Sequence, residues 1–137
     1  MSYWLFKSEP EVYPWLQLVR EGQTGWEGVR NHQAANNMKS MRIGDQGFFY
    51  HSGGGREIVG VVEVVGLYRP DPTDATGKFG LVDVRPLIPV ERPVTLAAIK
   101  AEANLGHLAL VRQSRLSVSP VDPAAWRHIC EMAGIKA

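Results

Sequence analysis

Between Thr24 and Asn37 the chain gathers side chains that recognise flat polar groups: the Trp26 indole, the Arg30 guanidinium and the carboxamides of Asn31, Gln33, Asn36 and Asn37. An indole offers a stacking face, a guanidinium a rigid fork of donors, and a carboxamide a donor beside an acceptor. That inventory suits a planar heterocycle such as a nucleobase. Glycines on both sides of Trp26 let the backbone turn sharply or come close to a ligand. The same residues also have a purely structural reading, with Trp26 as a core anchor, Arg30 as a surface charge and Asn31 as the cap of the following helix. The segment by itself leaves both readings open.

Catalytic chemistry finds less support. The histidines are His32, His51, His107 and His128, with no His-x-x-x-His pair among them, and Cys130 is the single cysteine. No zinc site is completed, and the Cys-x-x-Cys half of a base deaminase is missing. Ser52 follows His51 in a predicted strand, where neighbours point to opposite faces, so the two do not form a nucleophile and its base. Cys130 falls on an apolar helix face and reads as packed rather than reactive. Gly53-Gly54-Gly55 lacks the Lys-Ser/Thr of a phosphate loop. A non-catalytic protein with no metal and no cofactor is expected.

Composition narrows the class further. At 137 residues, 45% hydrophobic and 21% charged, the chain fits one globular domain with a real core, spanning 1–137. No apolar run approaches the roughly 18 residues of a membrane span. Met1-Ser2-Tyr3-Trp4-Leu5-Phe6-Lys7 lacks the pattern of a signal peptide. A lone cysteine excludes an internal disulfide framework and fits a reducing compartment, so a cytoplasmic monomer with no membrane partner is expected. The net charge of +1 argues against indiscriminate coating of DNA. A reader that grips one unit, with a modest basic rim, stays open.

Several elements must position the Trp26 segment. Tyr3-Trp4-Leu5-Phe6 reads as a short buried strand. Ser8-Glu9-Pro10-Glu11 has the form of a capping box, with a helix from about Tyr13 to Arg20 whose apolar side is Trp15, Leu16, Leu18 and Val19. A second helix is predicted from Asn31 to about Arg42, with Ala34, Met38 and Met41 at helical spacing. Gly47 to Ser52 is a strand, Gly53-Gly54-Gly55 a hairpin connection, and Glu57 to Arg69 a long strand that Gly60 and Gly66 should bend. Pro70 to Gly77 reads as an exposed loop. Phe79 to Pro86 is a further strand, after which Pro86, Pro89 and Pro93 break up an extended connection. Thr95 caps a short helix through Ala101, Leu105 to Val111 forms a further turn, Leu116 to Pro120 is a strand, and Asp122-Pro123 starts a last helix facing Trp126, Ile129, Cys130 and Ala133 to the core. About five or six strands with helices between them predict a small mixed β-barrel of the α+β class.

These motifs resemble a known family. Tyr3-Trp4-Leu5-Phe6-Lys7-Ser8-Glu9-Pro10 is similar to the opening of EVE-domain proteins, and Trp26-Glu27-Gly28-Val29-Arg30-Asn31-His32-Gln33-Ala34-Ala35-Asn36 to their central signature. Phe48-Phe49-Tyr50-His51-Ser52, Val82-Asp83-Val84 and Arg115-Leu116-Ser117-Val118 match later strands, in order along nearly the whole chain. The glycine-rich loop after Ser52 is a local departure. The resemblance implies a PUA-like fold, a compact barrel with flanking helices, related to the YTH readers of methylated adenine in RNA. It also implies recognition of modified bases, notably modified cytosine in DNA, with RNA as the second option.

A modified base inside a duplex must be extruded, or met on a single strand, before a pocket can read it. Extrusion costs a few kcal/mol and stacking on one ring returns roughly 1–3 kcal/mol, so edge hydrogen bonds and phosphate contacts must supply the rest. Trp26 and Phe79 are the candidate stacking surfaces, with Tyr50 third, although Tyr50 sits in a strand with one buried face. Asn31, Asn36, Ser8 and Ser52 are the polar candidates. Lys7, Arg30, Arg112 and Arg115 are candidates for a phosphate or a carbonyl. The rival expectation is an enzyme or sensor that binds a small modified nucleoside in the same pocket.

Overall fold

The aromatic run at the start of the chain becomes a strand held on both sides. In the computed structural model, which describes residues 1–135, β1 (Tyr3–Ser8) pairs parallel with β3 (Gln46–His51) and antiparallel with β6 (Val118–Val121). A parallel pair cannot be closed by a tight turn and needs a crossover of about a dozen residues or more. Here the crossover contains α1 (Trp15–Glu21), the short edge strand β2 (Thr24–Gly25) and α2 (His32–Lys39). The Trp26 segment therefore lies inside that connection. With β4 (Glu57–Pro70) and β5 (Gly80–Thr95), the strands form one mixed sheet in the order β2-β5-β4-β3-β1-β6.

Period-two alternation divides the apolar residues between the two faces. Trp4, Phe6, Phe49, Val62, Val64, Val82 and Val84 are buried with Trp15 and Leu18 of α1 and Ala34 and Met38 of α2. Leu5, Phe48, Tyr50, Ile58 and Val61 are buried on the other face, under α3 (Leu96–Lys100), α4 (Ala109–Arg112) and α5 (Pro123–Ala133). Trp126 of α5 stacks on both Tyr3 and Phe48, with centroids 4.4 and 3.9 Å away. The sheet is strongly curled, as α2 shows by touching both β5 and β6. In a flat sheet those strands would lie about 19 Å apart, whereas an eight-residue helix is only about 12 Å long.

The α+β class, the PUA-like architecture and most elements are as expected, and the differences have physical causes. Ser8 caps no helix: it remains paired in β1, and its hydroxyl donates to the Tyr13 carbonyl at 2.6 Å. The helix starts two residues later than expected, after Pro14, and Leu16 and Val19 point outward with 69% and 47% of their surface exposed. The second helix begins after Asn31 and stops at Lys39, because Arg42 turns its N–H onto the buried Asp45 carboxylate. That carboxylate also accepts from the Trp4 indole and the Ser2 N–H.

The prolines after Phe79 do not end their strand. β5 runs on to Thr95, with Pro86 opposite Val62 and Pro89 opposite Gly60 where the ladder shifts register. A bulge tolerates a residue without an N–H. Gly60 serves a second purpose, since a Cβ there would come within 2.5 Å of the Trp15 ring. The loop after Pro70 is only partly exposed, because Asp71 is buried. Among the described residues no helix is long and apolar enough to cross a membrane.

Candidate functional site

Trp26 is placed by the edge of the sheet. β2 pairs with β5 through Thr24–Val84 and Gly25–Asp83, and the Trp26 N–H continues the ladder by donating to the Val82 carbonyl at 2.8 Å. The indole is 7% exposed. It meets Phe6, Phe49 and Tyr13 edge to face, with centroids at 5.2, 5.5 and 6.3 Å. The ring is packed as a core anchor, and it also forms the floor of a cleft. Trp26 is one of the residues that line this cleft.

The cleft has a volume of about 810 Å³, within the range of small-molecule sites and large enough for a nucleoside. Lys7 and Ser8 at the end of β1 form one wall, Tyr13, Gln17 and Glu21 a second, and Thr24 to Gly28 a third. Burial lowers the pKa of the half-buried Lys7, whose ammonium donates to the Ser114 carbonyl at 2.9 Å. Tyr13 donates its hydroxyl to Glu21 Oε1 at 2.6 Å, and Gln17 Nε2 donates to Glu21 Oε2 at 3.1 Å. Burial, and then the Glu21 carboxylate, push the Tyr13 phenol up to about 12. Glu9, Glu21 and Glu27 face the cleft against Lys7 and Arg69, and Arg69 is already engaged by Asp83. The cleft is thus rich in acceptors. Arg112 and Arg115 are exposed in the stretch of chain around Ser114 but do not line the cleft.

Arg30 is turned away from the cleft and holds the adjoining loop. Its guanidinium donates to Asp71 Oδ2 at 3.1 Å and to the Thr73 hydroxyl at 3.0 Å. Gly28 N–H donates to the same Asp71 oxygen at 2.8 Å, while the Thr73 N–H and hydroxyl occupy Oδ1. Burial alone would raise the Asp71 pKa, but the bonds from Thr73, Gly28 and Arg30 outweigh it and bring it down to about 2. This latch seats Pro72 on the cleft.

The remaining candidates lie elsewhere. Asn31 accepts from the Ala34 N–H as the helix cap. Asn36 is exposed on α2, whereas Asn37 ties that helix to β6 by donating to the Val118 carbonyl at 2.8 Å. Tyr50 is buried in the second core, and the Ser52 N–H donates to the Ser8 carbonyl. Phe79 is half-buried against His32 at 4.9 Å. Arg112 donates to the Gly106 carbonyl beside a smaller cavity of about 450 Å³. The structure therefore brings Lys7, Ser8 and Trp26 together and leaves the others outside the cleft. Tyr13, Gln17, Glu21 and Arg69 were not singled out from the sequence. The four-residue spacing of positions 13, 17 and 21 is the signal that pointed to one face.

The histidines stand apart. His51 Nε2 accepts the Trp15 N–H, and burial lowers its pKa. Among the described residues no three of His, Cys, Asp and Glu are grouped to hold a metal. Cys130 is buried, and that burial pushes its thiol up to about 11.

A curled six-stranded sheet with a cleft beside its inserted crossover defines a small α+β domain of the PUA-like class. The chain belongs to the EVE-domain family, whose model matches residues 2–132. It is 33% identical to thymocyte nuclear protein 1 of Gallus gallus over 154 residues, covering 87% of this chain and 63% of the chicken protein. The chain thus spans less than two thirds of that relative's length. Among solved structures, a Rhodopseudomonas palustris protein shares 51% identity at a TM-score of 0.92, covering 98% of this chain and 94% of that one. Human thymocyte nuclear protein 1 in complex with 5-methylcytosine-containing DNA superposes at a TM-score of 0.93 with 27% identity, over 100% of both chains. The fold also matches the YTH domain of the Zygosaccharomyces rouxii MRB1 protein, at 18% identity and a TM-score of 0.58. That likeness concerns the fold alone.

Proposed function

We propose that this protein is a non-catalytic module that binds nucleic acid carrying a modified base, with modified cytosine in DNA as its first ligand. The observation that carries the reading is the cleft of about 810 Å³ floored by Trp26, with the Lys7 ammonium at its rim. Its size admits one base but no duplex, so the base would enter extruded or from a single strand. Arg115, exposed one residue beyond the Ser114 carbonyl that holds Lys7, would be the next cation for a strand leaving the rim. The human relative bound to methylated DNA supports the same ligand class.

A second reading has an observation of its own. Three glutamates on the cleft against two cations, one of them paired, suit a free nucleoside better than a phosphodiester. Titrating modified and unmodified oligonucleotides beside the matching free nucleosides, at two salt concentrations, separates the two. Steep salt dependence confined to the modified strand supports the reader. Salt-insensitive capture of the free nucleoside, with no gain from the strand, would replace it with the small-ligand reading.

A further inference from the structure

A methyl group cannot by itself distinguish 5-methylcytosine from thymine. Both rings carry it, and they differ at C4, where cytosine presents an amino donor and thymine a carbonyl acceptor. Since thymine is abundant in DNA, a reader of methylated cytosine needs a group that accepts from the amine and repels the carbonyl.

Glu21 has the chemistry for this. Its two oxygens are anchored by the Tyr13 hydroxyl and the Gln17 amide, which fix the direction of the carboxylate. A carboxylate has about four lone-pair sites, so roughly two remain free for a ligand. Tyr13 stands edge-on to Trp26, and the exposed Glu21 lines the same cleft as both. The bond from Tyr13, then that from Gln17, lowers the Glu21 pKa and keeps the group an acceptor at neutral pH. The surroundings favour the same ligand edge. Ser8 has committed its proton to the Tyr13 carbonyl and can only accept, and Gln17 has committed one of its two amide N–H groups to Glu21. A ligand acceptor finds a donor on the same cleft at Lys7. Glu9 and Glu27 also face the cleft, but among the described residues no side chain anchors them.

We infer that Glu21 is a specificity-determining residue of the cleft, accepting from the 4-amino group of a cytosine derivative and excluding thymine; the inference rests on the modified-base reading above. Gln17 and Tyr13 act through it as positioning residues.

The test uses short single-stranded DNA oligonucleotides with one central 5-methylcytosine, cytosine or thymine, titrated by fluorescence anisotropy against the whole protein, Glu21→Gln and Tyr13→Phe. The ratio of 5-methylcytosine to cytosine reports whether a modified base is read, and the ratio of 5-methylcytosine to thymine reports the role of Glu21. The unaltered protein should favour 5-methylcytosine over thymine by about tenfold or more. Glu21→Gln, which can donate as well as accept, should reduce that preference to within about threefold while the preference over cytosine stays. Tyr13→Phe should fall between. If Glu21→Gln lowers both ratios together, the residue supports the site as a whole and the inference is overturned. Equal binding of 5-methylcytosine and thymine by the unaltered protein, or a thymine ratio that survives Glu21→Gln, overturns the inference and leaves the modified-base reading standing. Equal binding of 5-methylcytosine and cytosine overturns that reading, and the role of Glu21 with it.

Discussion

Replacing Trp26 by alanine separates its two roles, because they differ in what survives the change. The ring is 7% exposed and meets three aromatic neighbours edge to face. Deleting a buried aromatic of this size costs about 3–5 kcal/mol. A domain of this length has roughly 5–15 kcal/mol to lose, so the variant should fold with its melting midpoint lowered on the order of 10–20 °C. Circular dichroism melts give that shift, and binding is then measured well below the variant's own midpoint. If the indole is the floor of the ligand site, the folded variant loses affinity by about 1–3 kcal/mol, and Trp26→Phe recovers part of both losses. An unchanged midpoint would refute the anchoring role. Full affinity in the folded alanine variant would refute the ligand role and move the site away from this cleft.

Other consequences can be tested as directly. Asp71→Ala removes the carboxylate that holds Gly28, Arg30 and Thr73, and should cost about 2–4 kcal/mol in urea unfolding at pH 7. Because the folded Asp71 carboxyl titrates at about 2, below its unfolded value of 3.8, its contribution is complete above pH 3.8 and disappears as pH falls through 2. The stability gap between the parent and Asp71→Asn should therefore narrow across that window and stay flat above it. Lys7→Gln should reduce the slope of log affinity against log salt by about one if the ammonium neutralises a phosphate; an unaltered slope would assign Lys7 to structure. Cys130 should resist iodoacetamide in the native protein and react on unfolding, as read by mass spectrometry.

Features set by neighbours along the chain were legible from the residues alone. Asn31, Thr95 and Asp122 each cap the helix that follows them, and Trp126, Ile129, Cys130 and Ala133 face the core as their spacing required. Gly60 and Gly66 mark irregularities in the long strand's ladder, as expected of glycines inside a strand. What was hidden depends on partners far away in sequence. Pro86 and Pro89 stay within a strand because the facing register shifts to accept them, and nothing in the local pattern encodes that shift. Asp71 looked like a turn residue until Gly28 and Arg30 met it across 43 and 41 positions. The site was legible in part for the same reason. The residue types around Trp26 suggested a flat ligand, but Arg30 was drawn off by Asp71, and Gln17 and Glu21 joined the cleft only through the placement of α1.

The placement of β1 has a consequence for biosynthesis. Its partners are residues 46–51 on one side and 118–121 on the other, so among the described strands the one made first is among the last to be enclosed. Until the chain has grown past residue 114, Lys7 has no carbonyl to hold it, and until β6 emerges one flank of β1 is an open edge of aromatic residues. Until residues 118–121 have been made, the nascent chain must carry β1 with that flank unpaired.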